Sequence, residues 1–171
     1  MIKKNSQQYS TVIKRALEQM ETPLPVSFGY WITVVNELSL QSLDQSKDDT
    51  TYPRIIVQAN FTESRNESNL YEADTRVNIY IVDETIEDYT TDQRIENVYE
   101  PILYPLYDDL IYTLYRSGLF VWDDSNLPLG NVPHDKKDLF YIGVLDSNQN
   151  KLNNTVDAIE ISIPNLRIRK C

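Results

Sequence analysis

VNIYIVDETIEDYTTDQRIENVYEPILYPLYDDLIYTLYRSGLF, residues Val77 to Phe120, is the stretch that decides the fold. Its hydrophobic period changes once. Val77, Ile79 and Ile81 alternate with Asn78, Tyr80 and Val82, the period-two pattern of a strand with one apolar face. From Thr90 the period lengthens, and Ile95, Val98, Ile102, Leu106, Leu110 and Leu114 form the stripe of a helix. Thr90 and Gln93 fit a capping box, and Asp92 suits the positive end of the helix dipole. Pro101 and Pro105 fall inside the stripe, which predicts a kink or break near Tyr99–Pro101 and a second segment running to Arg116. Gly118 is the natural C′ stop.

Upstream, Arg54 to Phe61 alternates Ile55, Val57, Ala59 and Phe61 with Arg54, Ile56, Gln58 and Asn60. Two period-two runs, 54–61 and 73–82, surround the polar turn TESRNESNL and predict a long β-hairpin. Its mixed face carries Arg54 with Gln58, and Arg76 with Asn78 and Tyr80. Further upstream, Tyr9, Val12, Ile13, Ala16, Leu17 and Met20 form one helical stripe. Asn5 or Ser6 can cap that helix, and Pro23 and Pro25 end it. Ser27 to Leu38 reads as a strand apolar on both faces, followed by a polar loop that ends at Tyr52.

Downstream, Leu119 to Trp122 reads as a short strand and DDSNLPLGNVPHDKKD, residues 123–138, as a long loop. Leu139 to Leu145 reads as a strand. Thr155 to Ile163 closes the sheet with Ile159, Ile161 and Ile163 on one face; Pro164 breaks it and LRIRK projects as an arm. The expected fold class is α+β: an antiparallel or mixed β-sheet with a long β-hairpin, packed by an N-terminal helix and a central kinked helix. One domain is expected over 1–171, with short arms at 1–5 and 164–171.

The 171 residues are 41% hydrophobic and 25% charged, a globular composition. The formal net charge of -10 disfavours tight binding of nucleic acid phosphates. Basic residues gather at the ends, Lys3, Lys4, Lys14 and Arg15 at one and Arg167, Arg169 and Lys170 at the other; acids fill the middle. Basic ends that dock on an acidic neighbour are a device available to a self-assembling subunit. With 12 Tyr, rings that carry a polar tip suit strand faces and wet interfaces alike. Interface candidates chosen on these grounds are Lys3, Lys4, Arg54, Arg76, Tyr80, Arg167, Arg169 and Lys170.

Catalytic chemistry is expected to be absent. His134 is the single histidine and Cys171 the single cysteine, so neither a zinc set nor a disulfide within the chain is available. Cys171 stands at the last position beside Lys170; a nucleophile needs a held base and an oxyanion site, so it reads as inert. Four glycines supply neither a P-loop nor a dinucleotide fingerprint. Carboxylate pairs at Asp83–Glu84, Glu87–Asp88 and Asp108–Asp109 read as helix-start charges and a solvated surface. No cofactor and no metal are expected. The first residues lack the apolar core of a signal peptide, and no apolar run reaches membrane-spanning length, so the three glycosylation-like triplets read as chance.

The order of elements, and the stretch Val77 to Phe120 most of all, resembles the tail-terminator and head–tail connector ring subunits of tailed bacteriophages. In those proteins a hairpin strand leads through a polar turn into an amphipathic helix that ends before a short strand. The Asn-, Asp-, Tyr- and Ile-rich composition is similar to that of phages of AT-rich hosts, such as crAss-like phages of gut Bacteroidales. The resemblance implies a homomeric ring of six or twelve copies in the neck or tail of the virion, assembled in the host bacterial cytoplasm. It implies neighbouring neck and tail proteins as partners, and DNA that passes through the lumen without specific binding. Loops 37–52, 63–71 and 123–138 are then candidates for contact with rings above and below. Two rival readings stand beside it: a small acidic binding or inhibitory module acting on a basic protein partner, and an enzyme that uses carboxylates alone.

Overall fold

The computed structural model describes residues 8–29, 34, 52–58, 62–65, 73–122, 132–145 and 151–168. Helix α1 (Gln8–Leu17) is followed by strands β1 (Val26–Phe28), β2 (Arg54–Val57), β3 (Thr62–Arg65) and β4 (Ala73–Thr85). One helical rod comes next, in three parts: α2 (Thr91–Arg94), a π-helical segment (Ile95–Leu103) and α3 (Tyr104–Arg116). Strands β5 (Phe120–Val121), β6 (Asp135–Leu145) and β7 (Lys151–Ile168) complete the fold. The architecture is α+β, with a mixed sheet ordered β1-β2-β4-β7-β5; β3 also pairs with β4, and β6 with β7. Only β1 and β2 run parallel; every other pair among the described strands is antiparallel.

Side-chain parity builds the core. Ile55, Val57, Val77, Ile79, Ile81, Ile159, Ile161 and Ile163 share one face of the sheet, and all are buried. Ile13, Ala16, Leu17 and Met20 of α1 pack into the same cluster, with Val98, Tyr99, Leu103, Leu110 and Leu114 of the rod. Each large aliphatic side chain buried here contributes about 1.5–3 kcal/mol, so this single apolar layer dominates stability. A smaller cluster occupies the other face: Val34, Ile56, Tyr80, Val82, Val156 and Ala158, with Tyr52 and Leu139 against it.

The hairpin forms with a register change. Arg54 opposes Val82 and Val57 opposes Ile79, a register that would bring residue 60 to Arg76; Thr62 stands there instead. Of the expected strand 54–61, Arg54–Val57 is β2 and 59–61 lie outside the described residues; the start of the expected turn TESRNESNL is instead strand, Thr62–Arg65, paired with β4. β4 continues past the expected end at Val82 to Thr85, because Asp83 and Thr85 fall on the helix-facing side beside Arg94.

Further sequence expectations meet the structure as follows in chain order. Of the strand expected over 27–38, the described residues show strand at Val26–Phe28, a bend at Gly29 and a helical, buried Val34; 30–33 and 35–38 lie outside the described residues. An apolar run on both faces does not distinguish a strand from a short buried helix. Gly29 lets the chain pass close to Val34: a Cβ there would sit 3.0 Å from the Val34 side chain, which would have to shift. The expected interruption near Tyr99–Pro101 takes the form of a nine-residue π-helical stretch with Pro101 inside it, closed by the Tyr104 N–H donating to the Tyr99 carbonyl, and the second segment runs to Arg116 as expected. Wider turns make room for a pyrrolidine ring and pass over its missing donor, so helical structure is kept on both sides of Pro101.

β6 begins at Asp135, so the DKKD tetrad belongs to a strand rather than a loop. Its charges suit a strand that pairs on one side only among the described residues. Pro164 does not end β7, and the arm expected from 164 is sheet through Ile168. Ile163 opposes Val77 and Leu166 opposes Thr75, so the chain carries one extra residue at Pro164–Asn165. Such a bulge needs no N–H from proline. Beyond it Leu166 is fully buried, and Arg167 and Ile168 pair with Val121 and Phe120. Expected arm 1–5 and caps Asn5 and Ser6 lie outside the described residues.

Candidate assembly surface

The eight interface candidates do not converge. Lys3, Lys4, Arg169 and Lys170 lie outside the described residues. Arg54 opens β2 half-buried, and its Nη1 donates to Ser27 Oγ at 2.8 Å, tying β2 to β1. Arg167 is half-buried in β7 opposite Val121. Tyr80 is corrected outright: at 5% exposure it belongs to the smaller cluster, not to a surface. Its hydroxyl donates to Glu160 at 3.2 Å, and burial, then the Glu160 charge, push the phenol up to about 12. Arg76 alone of the eight is described as exposed, on β4 opposite Thr62.

Around Tyr80 the second face of the sheet is a half-buried polar strip. Asn78 donates to Gln58 Oε1 at 3.1 Å, and Ser162 Oγ donates to Asn78 Oδ1 at 2.8 Å. Three strands are stitched through this chain of side chains, which continues the mixed face read from the hairpin.

The sheet also fixes where its two ribbons go. At one end β3 and β4 continue past the last β4–β7 pair, Thr75 with Leu166, and among the described residues Ala73 and Asp74 pair with Arg65 and Ser64. At the opposite end β4 stops at Thr85 opposite Thr155, while Leu145 still opposes Lys151. Residues 151–154 of β7 thus add about 13 Å of strand with β6 as their neighbour. Two-stranded ribbons of this kind are marginal alone and gain from being covered or extended.

Loop 123–138 was expected to reach a neighbouring ring. Residues 123–131 lie outside the described residues, and 132–138 are held against α3 instead. His134 Nδ1 contacts the Val132 carbonyl and Nε2 lies 2.6 Å from Tyr107 Oη. A carbonyl only accepts, so Nδ1 donates to it, and Nε2 shares a hydrogen bond with the phenol. Lys136 Nζ stands 4.2 Å from the Tyr104 ring centre and 5.1 Å from that of Tyr107, and 3.1 Å from Asp138. Tyr104 Oη donates to Asp138 at 3.1 Å, and burial and the Asp138 charge raise its pKa. Lys136 is therefore an exposed cation flanked by two rings and a carboxylate of its own chain.

The polar centre that sequence reading missed is Arg94, 3% exposed, with Asp157 at 0%. Arg94 Nη1 lies 3.1 Å from Asp157 Oδ1 and also donates to Thr85 Oγ1 at 3.1 Å. Nη2 donates to the carbonyls of Ile86 and Glu87 at 2.9 and 3.0 Å, and Nε to that of Tyr89 at 3.2 Å. All five N–H groups are used. One guanidinium thus clamps the turn between β4 and α2, where Thr90 and Gln93 form the reciprocal capping box. The available signal was Asp157 itself: it shares strand parity with Ile159, Ile161 and Ile163, and a carboxylate on an apolar face needs a cation.

Asp109 also has a structural task. It accepts from the Glu21 and Thr22 amides and from Thr113 Oγ1, which fastens the end of α1 to α3. Beside it a shallow polar depression of about 240 Å³ is lined by Gln19, Glu21, Tyr112 and Arg116. Among the described residues no group of three or more His, Cys, Asp or Glu is placed to hold a metal ion, and no helix is long and apolar enough to cross a membrane. No protein-family model matches the chain, and comparison with curated proteins returns no match.

Proposed function

We propose that this chain is a structural subunit of a ring in the neck or tail of a tailed bacteriophage, present as six or twelve copies around the path of the DNA. It acts through surfaces, with no bond-making chemistry and no cofactor, and joins head or portal to tail. The observation that carries the reading is the pair of ribbons, β3/β4 and β6/β7, that extend from opposite ends of one sheet. A subunit wedged between other rings needs elements that reach both ways along its axis. Strand edges supply them, because their unpaired backbone groups accept a strand from a neighbour.

The acidic balance supports the same reading. A net charge of -10 gives walls that repel the duplex and let it slide. Head-to-tail contacts between copies close into rings when the rotation per copy divides the circle. The place of action is then the virion neck or tail, after assembly in the host bacterial cytoplasm. The test is cryo-electron microscopy of the purified chain, together with capture of neck and tail proteins by a tagged copy. Closed rings, alone or on a captured partner, are expected. A chain that stays monomeric and captures neither kind of protein contradicts the proposal.

A further inference from the structure

Beyond any assembly role, two carboxylates meet at the joint between the sheet and the helical rod, where Arg94 is the buried cation among the described residues. Asp83 and Asp157 oppose each other directly in the β4–β7 register. They share parity with Ile81 and Ile159, so both lie on the helix-facing side, and both are buried. Directly opposed positions hold their Cβ atoms about 5 Å apart, and like charges there repel. Arg94 is the cation at this joint, and its five N–H groups go to Asp157, Thr85 and the carbonyls of 86, 87 and 89. Asp83 receives none of them.

We propose that this joint is proton-linked: Asp83 takes up a proton in mild acid, the repulsion across the β4–β7 pair ends, and the turn that leads into the rod tightens. The groups facing the pair come from every neighbouring element. Asp157 stands on β7, Glu84 on β4 itself, Arg94 on α2, Tyr52 ahead of β2, and Tyr99 on the π-helical segment. Burial first, then the Glu84 and Asp157 charges, raise the Asp83 carboxyl, while the Glu84 amide draws it back down.

The sign follows from linkage. A carboxyl raised in the folded state binds its proton more tightly there than in the unfolded chain, whose value is about 3.9. Stability at this joint is therefore gained as pH falls from neutral through the raised value. It levels off below the unfolded one. Acid drives most native carboxylates the other way, so the Asp83 contribution is read as a difference between two chains.

Asp83→Asn keeps the shape and removes the charge, with exposed Asp88→Asn as the control. Thermal unfolding of the full chain is followed from about pH 8 to about pH 4.5. Asp83→Asn should melt several degrees above the parent at neutral pH, with the gain shrinking steadily in acid; the control should track the parent. Amides 86–94 of the parent should also exchange several-fold more slowly in mild acid, after correction for intrinsic rates, and those of Asp83→Asn should not. If the variant fails to fold, carbon-13 titration of the parent's Asp83 carboxyl decides: it should titrate above the ordinary aspartate value of about 3.9. A variant no more stable than the parent at neutral pH, a gain that does not vary with pH, or an Asp83 midpoint at or below that ordinary value overturns the proposal.

Discussion

Removing Arg94 should unfold the joint between sheet and rod. Arg94→Met keeps much of the side-chain volume and deletes the charge. Asp157, with no exposed surface, then becomes a buried carboxylate without its cation. Breaking a buried pair from one side costs about 3–5 kcal/mol. The carbonyls of Ile86 and Glu87 lose donors too, but they belong to an exposed turn that water reaches, so the stranded carboxylate sets the magnitude. For a chain of this length each kcal/mol moves the melting point by about 2–4 °C, giving a fall of roughly 6–20 °C. Urea unfolding at neutral pH measures it. Arg94→Met with Asp157→Leu removes both charges and should be more stable than Arg94→Met alone. A single variant within about 1 kcal/mol of the parent, or a double variant whose losses simply add, would refute the reasoning.

Smaller perturbations test the neighbouring devices. Tyr99 is fully buried and its hydroxyl donates to the Ala158 carbonyl at 3.1 Å, so Tyr99→Phe should cost about 1–3 kcal/mol in chemical denaturation without changing helix content. Gly118 sits at φ 66 with open space around it, so Gly118→Ala should cost about 1 kcal/mol from backbone strain alone, and Gly118→Asn less, as calorimetry can show. Thr90→Ala removes the oxygen that caps the Gln93 amide, which should cost about 0.5–2 kcal/mol and speed hydrogen exchange in the first turn of α2.

Much of the scaffold was legible in the residues. Parity in 54–57 and 77–82 named the core face correctly, the stripe from Tyr9 to Met20 named α1, and Thr90, Gln93 and Gly118 marked the limits of the rod. What was missed follows from competing signals. The run from Ser27 is apolar on both sides, so alternation did not foretell the helical Val34. Pro101 marked the interruption of the α-helix but not its π-helical form. Pro164 announces a strand end, yet a bulge absorbs it.

The candidate surface was less legible because charge and aromatic character were used to find it. Tyr80 looks like a surface tyrosine from its polar neighbours, but Val34, Tyr52 and Leu139 pack on the same side of the sheet. Asp83 and Asp157 look like solvated acids until strand parity turns them inward. The ribbons, by contrast, depend on where paired strands stop, which a single sequence does not state.

The most direct measurement of the central claim is native mass spectrometry of the full chain over a wide concentration range, alone and mixed with neck and tail proteins of a tailed phage. The account predicts one closed species of six or twelve copies, formed by the chain itself or on such a partner. A single-copy mass under every condition, or a one-to-one complex with a basic protein instead, would contradict it.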